Sequence, residues 1–175
     1  PINVRRHKDE VALRLAKTRP CALITNAEHL PMMMELRATL PELKHLITVD
    51  GGEGSIALDD LLKARTDSPL AGGKPDDVAA ILYTLGNSGN PRGATLTHSA
   101  LLRNAVNNAV ALAATPDDVF LGAVPFSNSF GLTPTILSCA VAGAQIAPLP
   151  VYHPGDALAL IEKAKVTVHH GVPTM

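Results

Sequence analysis

The sequence has no tryptophan, and only 3% of its 175 residues are aromatic. It therefore lacks the stacking platforms on which single-stranded nucleic acids are held. It has no excess of either charge: the formal net charge is −1, and the basic face that a nucleic-acid binder presents is missing. It has two cysteines, Cys21 and Cys139, too few for a disulfide framework. They read as two buried thiols of a reducing compartment, and a cytoplasmic location is expected. The opening stretch PINVRRHKDE is charged and has no apolar core, so it does not read as a secretory leader. From Val119 to Tyr152 charge is absent, yet Pro125, Pro134, Pro148 and Pro150 interrupt the run, with Asn128 and Gln145 inside it. A spanning helix needs about 20 consecutive, predominantly apolar residues. The run reads instead as a buried strand, a loop, a helix and another buried strand, with no integral membrane segment and peripheral association left open.

What is present is a globular composition, 46% hydrophobic and 18% charged, with length enough for one domain with a real core. Helix and strand signals alternate along the chain. DEVALRLAKTRP has helical spacing and stops before Pro20; CALIT is a short apolar strand. AEHLPMMMELRATL is mostly helical, with Pro31 near its start, where proline is tolerated. HLITVD is a second strand, GGEGS a turn and IALDDLLKAR a short helix. TDSPLAGGKPDD, rich in Pro, Gly and Asp, reads as a surface linker. DVAAILYT is then a buried strand, ATLTH a short strand, and HSALLRNAVNNAVALAA a long helix capped by Thr97 or Ser99. DDVFLGAVP (strand), FGLTPTILSCAVAGA (helix), AQIAPLP (strand), HPGDALALIEKAK (helix) and VTVHHG (strand) complete the order. This alternation predicts an α/β fold with a largely parallel sheet and helices on both faces. The sequence stops at GVPTM directly after a strand read as buried, and its start is equally abrupt. A fragment of something larger is expected.

Between two of these strands lies LGNSGNPRG. Gly86, Gly89 and Gly93 permit positive φ and a close approach of ligand to backbone. Successive exposed N–H groups in such a turn form an anion-binding concavity. Thr84, Asn87 and Ser88 add side-chain donors, Arg92 adds a charge that grips two phosphate oxygens at once, and Pro91 stiffens the exit. These features suit a polyphosphate. A plain Gly/Asn/Ser hairpin turn predicts much the same residues, and spacing alone leaves both readings open. Neither GxxxxGK[ST] nor a GxGxxG after a first strand is present.

The whole stretch LYTLGNSGNPRGATLTH resembles the signature loop of the adenylate-forming superfamily, which reads approximately YTSGTTGxPKGVxLTH. Tyr83, Thr84, Gly86, Gly89, Pro91, Gly93, Leu96, Thr97 and His98 match it without a gap. DDVFLGAVPFSNSFGL is similar to the family's DxxLxxLPLFHxFGL segment, and AGAQIAPLPVYHPGDALALIEKAKVTVHHGVPTM is similar to the segment that follows in the acyl-CoA synthetase branch. LPELKHLITVD resembles the strand before the linker.

The resemblance implies part of the large N-terminal domain of such an enzyme. Residues 1–66 would be its upstream helix/strand part, 67–78 a linker, and 79–175 the phosphate-loop and acyl-pocket part, with the C-terminal lid domain absent. It implies the reaction of a carboxylate with ATP and CoA through an acyl-adenylate, with Mg2+ accompanying the nucleotide. The expected partners are thus a carboxylic acid, ATP and CoA. A fatty acid is the substrate class that PFSNSFGL and VTVHHGVPTM lean towards. Thr84, Gly86, Asn87, Ser88, Gly89, Pro91, Arg92 and Gly93 would hold the phosphates, and Asn128, Phe130, Gly131, His170 and Gly171 would line the acyl pocket. No catalytic or metal-binding residue is expected in this stretch, and alone it is expected to be inactive. Leu85 stands where the family has Ser or Thr, Arg92 where it has Lys, and Asn128 where it often has His. Leu85 and Asn128 motivate an alternative, a degenerate relative used for binding. Aryl-CoA ligases and peptide-synthetase adenylation domains are further alternatives within the superfamily.

Other candidates read more plainly. His98 reads as a capping or packing histidine, or else a support of the phosphate site. His169 and His170 are adjacent, so on a strand they face opposite ways and cannot share a metal well. The Met32–Met34 run reads as plastic core packing, Asp117 and Asp118 as a solvated turn, and Arg5, Arg6, His7 and Lys8 as a charged surface.

Overall fold

The computed structural model describes residues 1–3, 5–64, 72–84 and 91–175. The chain divides into two compact units, one of residues 4–71 and one of 1–3 with 72–175.

In the first unit, helix α1 (Lys8–Thr18) buries Val11 and Leu15 on one face. Arg14 on the same side is also buried, and its guanidinium donates to the Glu10 carbonyl at 2.8 Å. The helix ends where Arg19 turns left-handed (φ 44°), just before Pro20, as a residue preceding proline disfavours the helical region. Strand β1 (Ala22–Thr25) pairs in parallel with β2 (His45–Thr48), residue for residue from Ala22↔His45 to Thr25↔Thr48, and β2 pairs in parallel with β3 (Ile56–Ala57). Helix α2 (Leu30–Arg37), with Pro31 in its first turn, packs on β2. It buries Leu30, Met33 and Leu36, spaced three apart. Met33 thus enters the core while Met34 stays exposed beside Gly54. Helix α3 (Leu58–Lys63) follows β3 directly. Cys21 is exposed, against the expectation that both thiols are buried. It sits just ahead of β1, where its carbonyl takes the amides of Lys44 and His45 and holds the backbone at the rim of the sheet.

In the second unit, β4 (Val78–Thr84) and β5 (Arg92–Thr97) form an antiparallel hairpin, a departure from an all-parallel sheet. Helix α4 (His98–Ala111) follows at once, capped by the Thr97 hydroxyl, which accepts from Ala100 N–H at 3.2 Å. Strand β6 (Val119–Gly122) is the centre of a parallel sheet, flanked by β7 (Gln145–Pro148) and β8 (Val168–His169). Its Phe120 and Leu121 are fully buried, as a central strand covered on both faces should be.

The segment expected as one helix is two. A π-helical stretch, Gly131–Leu137, leads into α5 (Ser138–Ala142). Pro134 lies inside the π stretch and has no N–H to donate. The wider turn instead brings Ser138 N–H back to the Thr133 carbonyl, and the Ser138 hydroxyl donates to the same carbonyl at 2.9 Å. Gly143, at φ 69°, closes α5. Both helical stretches pack on α4, whose Ala105 and Ala109 are small enough to let the backbones approach. Helix α6 (Pro154–Ala164) precedes β8. Among the described residues no helix is long and apolar enough to cross a membrane.

Candidate functional site

The glycine-rich loop joins β4 to β5. Gly86, Asn87, Ser88 and Gly89, and with them Leu85, lie outside the described residues. The two strands deliver the loop in a defined register: Tyr83 faces Gly93 and Thr84 faces Arg92. Thr84 is exposed, and its hydroxyl lies 3.5 Å from the Arg92 carbonyl, too far to be held firmly. Pro91 is buried at the start of β5. Arg92 is exposed, and among the described residues its guanidinium has no hydrogen-bond or ion-pair partner. Gly93 serves otherwise than its sequence context suggests. It lies in the extended ladder, and a Cβ there would meet Ile81 Cγ2 at 2.9 Å and the Tyr83 ring at 3.3 Å. Its smallness admits two cross-strand side chains, and no left-handed turn is involved.

A second set of the expected residues gathers at the C-terminal end of the β6 sheet. β6 and β8 are parallel with Phe120 opposite Val168 and Leu121 opposite His169. His170, two residues beyond Val168, therefore shares a face with Phe120. The ring centroids of Phe120 and His170 are 6.0 Å apart, and Phe130 meets His170 edge-on at 5.9 Å. His169 is exposed, on the opposite side. Burial, and secondarily the neighbouring His169, holds the His170 imidazole below its ordinary pKa. Asn128 acts locally: its side-chain oxygen accepts from Gly131 N–H at 2.8 Å and its carbonyl from Leu132 N–H at 3.0 Å. It thereby caps the π stretch with the asparagine geometry that favours such starts. Gly131 is buried against the Pro125 carbonyl. Gly171 follows His170 directly, and a Cβ there would meet the His169 ring at 3.5 Å and Met175 at 3.9 Å.

Two features were not visible in the sequence. The sequence marks Phe120 only as part of a buried strand, yet its ring completes the cluster. Asp118, read as part of a solvated turn, accepts from Thr115 N–H at 2.7 Å, Thr115 O–H at 3.0 Å and Thr167 O–H at 2.7 Å. The partner that matters, Thr167, is 49 residues away, and no local pattern announces it. His98 packs over Gly73 beside a groove of about 480 Å3 along α4, whose walls include Pro75, Ser99, Leu102 and Arg103. Among the described residues no cluster of His, Cys, Asp and Glu could hold a metal ion.

Comparison with known proteins places this geometry. The family described as AMP-binding enzyme matches residues 1–175. A feruloyl-CoA synthase of an Amycolatopsis species is 32% identical over 175 residues, covering 100% of this chain and 33% of that one. A methyl-dioxo-octahydroindenyl-propanoyl:CoA ligase of Mycobacterium tuberculosis is 35% identical over 150 residues, 79% of this chain and 29% of that protein. The crystal structure of ATP-bound MatB from Rhodopseudomonas palustris superposes with a TM-score of 0.83 at 27% identity, covering 99% of this chain and 34% of that one. The chain thus spans about a third of the length of the curated relatives it matches. The α/β architecture, the glycine-rich stretch between β4 and β5, and above all the match over residues 1–175 lead to one statement: the chain belongs to the AMP-binding enzyme family.

Proposed function

We propose that this chain is the phosphate-gripping and acyl-facing part of an ATP-dependent carboxylate–CoA ligase, which joins a carboxylic acid to CoA through an acyl-adenylate and releases AMP and pyrophosphate. The observation that carries the reading is Arg92: an exposed guanidinium without a hydrogen-bond or ion-pair partner among the described residues, set by the β4–β5 register at the mouth of the loop. A guanidinium there can hold two phosphate oxygens in one fork, and Thr84 beside it has a hydroxyl free to turn. Gly86, Asn87, Ser88 and Gly89 would supply the amide cradle, with Pro91 and Gly93 fixing its base. Such chemistry needs charge neutralisation and positioning more than covalent help. Mg2+ would accompany the nucleotide, held largely by the phosphates and water as this ion usually is. The division into 1–66, a linker 67–78 and 79–175, a cytoplasmic location and inactivity of the isolated 175 residues are parts of the same proposal.

The acyl group is proposed to lie near Asn128, Phe130, Gly131, His170 and Gly171. The segments around Phe130 and His170 lean towards a fatty acid by their resemblance. A second reading, an aromatic acid, is favoured by the Phe120–His170–Phe130 ring cluster and by the relative named a feruloyl-CoA synthase.

The test uses the full-length parent protein. Exchange of labelled pyrophosphate into ATP should appear with a fatty or an aryl acid. Arg92→Ala should weaken ATP binding in calorimetry by about tenfold to a hundredfold, the range of one charge-assisted hydrogen bond, and Arg92→Lys should recover part of it. A parent that binds ATP but exchanges nothing would be the degenerate, binding-only relative. A parent with no affinity for ATP would sink the ligase reading.

A further inference from the structure

Helix α4 begins where β5 ends, and a helix N-terminus behind a glycine-rich loop is an ordinary seat for a phosphate. Here that seat is taken. His98 N–H donates to the Asp77 carbonyl at 3.1 Å and Ser99 N–H to the Pro75 carbonyl at 2.8 Å, while Ala100 N–H is held by the Thr97 hydroxyl. These are amides that a helix otherwise leaves unpaired. The opening of α4 is thus a fastening, and a phosphate held by the loop is held without it.

The other half of the fastening is the turn just before β4. The Asp77 carboxylate accepts from Lys74 N–H at 2.8 Å, and Asp77 N–H donates to the Lys74 carbonyl at 3.0 Å. This double tie closes residues 74–77 into a turn and sets the Pro75 and Asp77 carbonyls facing α4. Gly73 lets the turn come close: a Cβ there would lie 3.1 Å from the His98 ring. One turn thereby joins both roots of the hairpin to the helix, since β4 starts at Val78 and β5 ends at Thr97. Between Val78 and Ala80 the pairing shifts register, so the ladder is irregular right beside this joint.

Among the described residues no third strand joins β4 and β5, and a two-stranded hairpin has little stability of its own. Thr84 and Arg92 form its outermost described pair. They are therefore aimed by what holds the roots, namely the packing of α4 on both strands and the turn closed by Asp77. We infer that Asp77 is a positioning residue of the phosphate grip, acting through the hairpin on Arg92 and Thr84 without touching the nucleotide. The inference rests on the ligase reading. A hairpin loose at its roots has to be ordered by the nucleotide on binding, and that ordering is subtracted from affinity.

The experiment measures ATP binding to the full-length parent protein by calorimetry, with pyrophosphate exchange alongside. Asp77→Ala should weaken ATP binding about threefold to tenfold, the worth of one net hydrogen bond. Asp77→Asn keeps an acceptor oxygen for Lys74 N–H and should stay within about twofold of wild type. In an Arg92→Ala background, Asp77→Ala should cost less than about twofold, because the main group it aims is gone. A loss of general stability alone would leave the affinity of the folded protein unmoved and show no coupling to Arg92. Wild-type affinity in Asp77→Ala, the same loss with and without Arg92, or Asp77→Asn as weak as Asp77→Ala would overturn the inference, while ATP binding and exchange by wild type still support the ligase. Absence of both in wild type would instead condemn the ligase reading and the inference with it. Should Asp77→Ala fail to fold, Asp77→Ser, a weaker acceptor at the same place in the turn, enters the cycle under the same criteria.

Discussion

A Cβ built on Gly131 would lie 2.2 Å from the Pro125 carbonyl oxygen and 2.8 Å from that of Val124. Both obstacles are backbone, so neither can swing aside as a side chain would. The same construction at Gly93 meets Ile81 Cγ2 at 2.9 Å, an atom at the end of a movable side chain. At Gly171 the nearest atom is 3.5 Å away, ordinary contact. Three glycines that look alike in sequence are therefore expected to answer differently to alanine. Gly131→Ala should lose about 3 kcal/mol or more, since overpacking against an unyielding wall lies at the upper end of such costs. Gly93→Ala should lose about 1 kcal/mol, and Gly171→Ala should change almost nothing. Urea denaturation of the 175-residue chain checks the order: midpoints should fall in that sequence with unchanged slopes. Equal midpoints for Gly131→Ala and Gly171→Ala would show that the β6–π connection yields, contrary to its geometry.

Between elements, the polar fastening most remote from sequence patterning is the Asp118 carboxylate. It ties the turn before β6 to Thr167, just ahead of β8, and Thr167 O–H also accepts from Val119 N–H at 3.0 Å. The Thr167 hydroxyl first, then the amide and hydroxyl of Thr115, lower the Asp118 pKa below 3.8. The folded state therefore binds this proton less readily than the unfolded one. The fastening's contribution is present above about pH 3.8 and is lost as pH falls through the lower folded value. Asp118→Asn should be less stable than wild type near neutral pH, and the gap should close as the solution is acidified from pH 5 to pH 2. Urea midpoints across that range measure it, and Thr167→Val should show a gap that narrows in the same range without closing, since it also loses the pH-independent bond from Val119 N–H. A gap independent of pH would mean that the charge plays no part. The order of strands and helices was legible because periodicity is a local property. The strands expected at DVAAILYT and ATLTH lie within two residues of β4 and β5, and the helix expected at HSALLRNAVNNAVALAA starts with α4 and runs three residues past its end. The π stretch was not legible, since FGLTPTILSCAVAGA has ordinary helical spacing and the widening goes with Pro134, which has no N–H to donate, and with Ser138, whose N–H and hydroxyl both turn to the Thr133 carbonyl. The candidate site divides the same way. Asn128, Phe130, Gly131 and His170 were marked by motif and are brought together, whereas Phe120 joins them only through the β6–β8 register.

At the scale of the whole chain, the surface of α4 stands out. Leu102, Val106 and Val110 recur every fourth residue and so share one face of the helix, and they are 58%, 38% and 73% exposed. Helix α4 carries no acidic residue, and its only ionisable side chains besides are Arg103 and His98. A stripe this apolar is unusual on a chain meant to stay dispersed. The near-zero net charge of −1 adds little repulsion between copies. The relatives are about three times as long, which leaves ample chain to cover such a face in a full-length protein. The isolated 175 residues should therefore self-associate, with sedimentation velocity showing a weight-average mass that rises across the micromolar range. Leu102→Lys combined with Val110→Lys should keep the chain monomeric. It should leave the unfolding free energy from urea denaturation within about 0.5 kcal/mol of wild type, because both side chains already face solvent. Wild type that sediments as a monomer at every concentration would mean the stripe is tolerated in water as it stands. A double variant that loses several kcal/mol would mean that these side chains are packed more deeply than their exposure indicates.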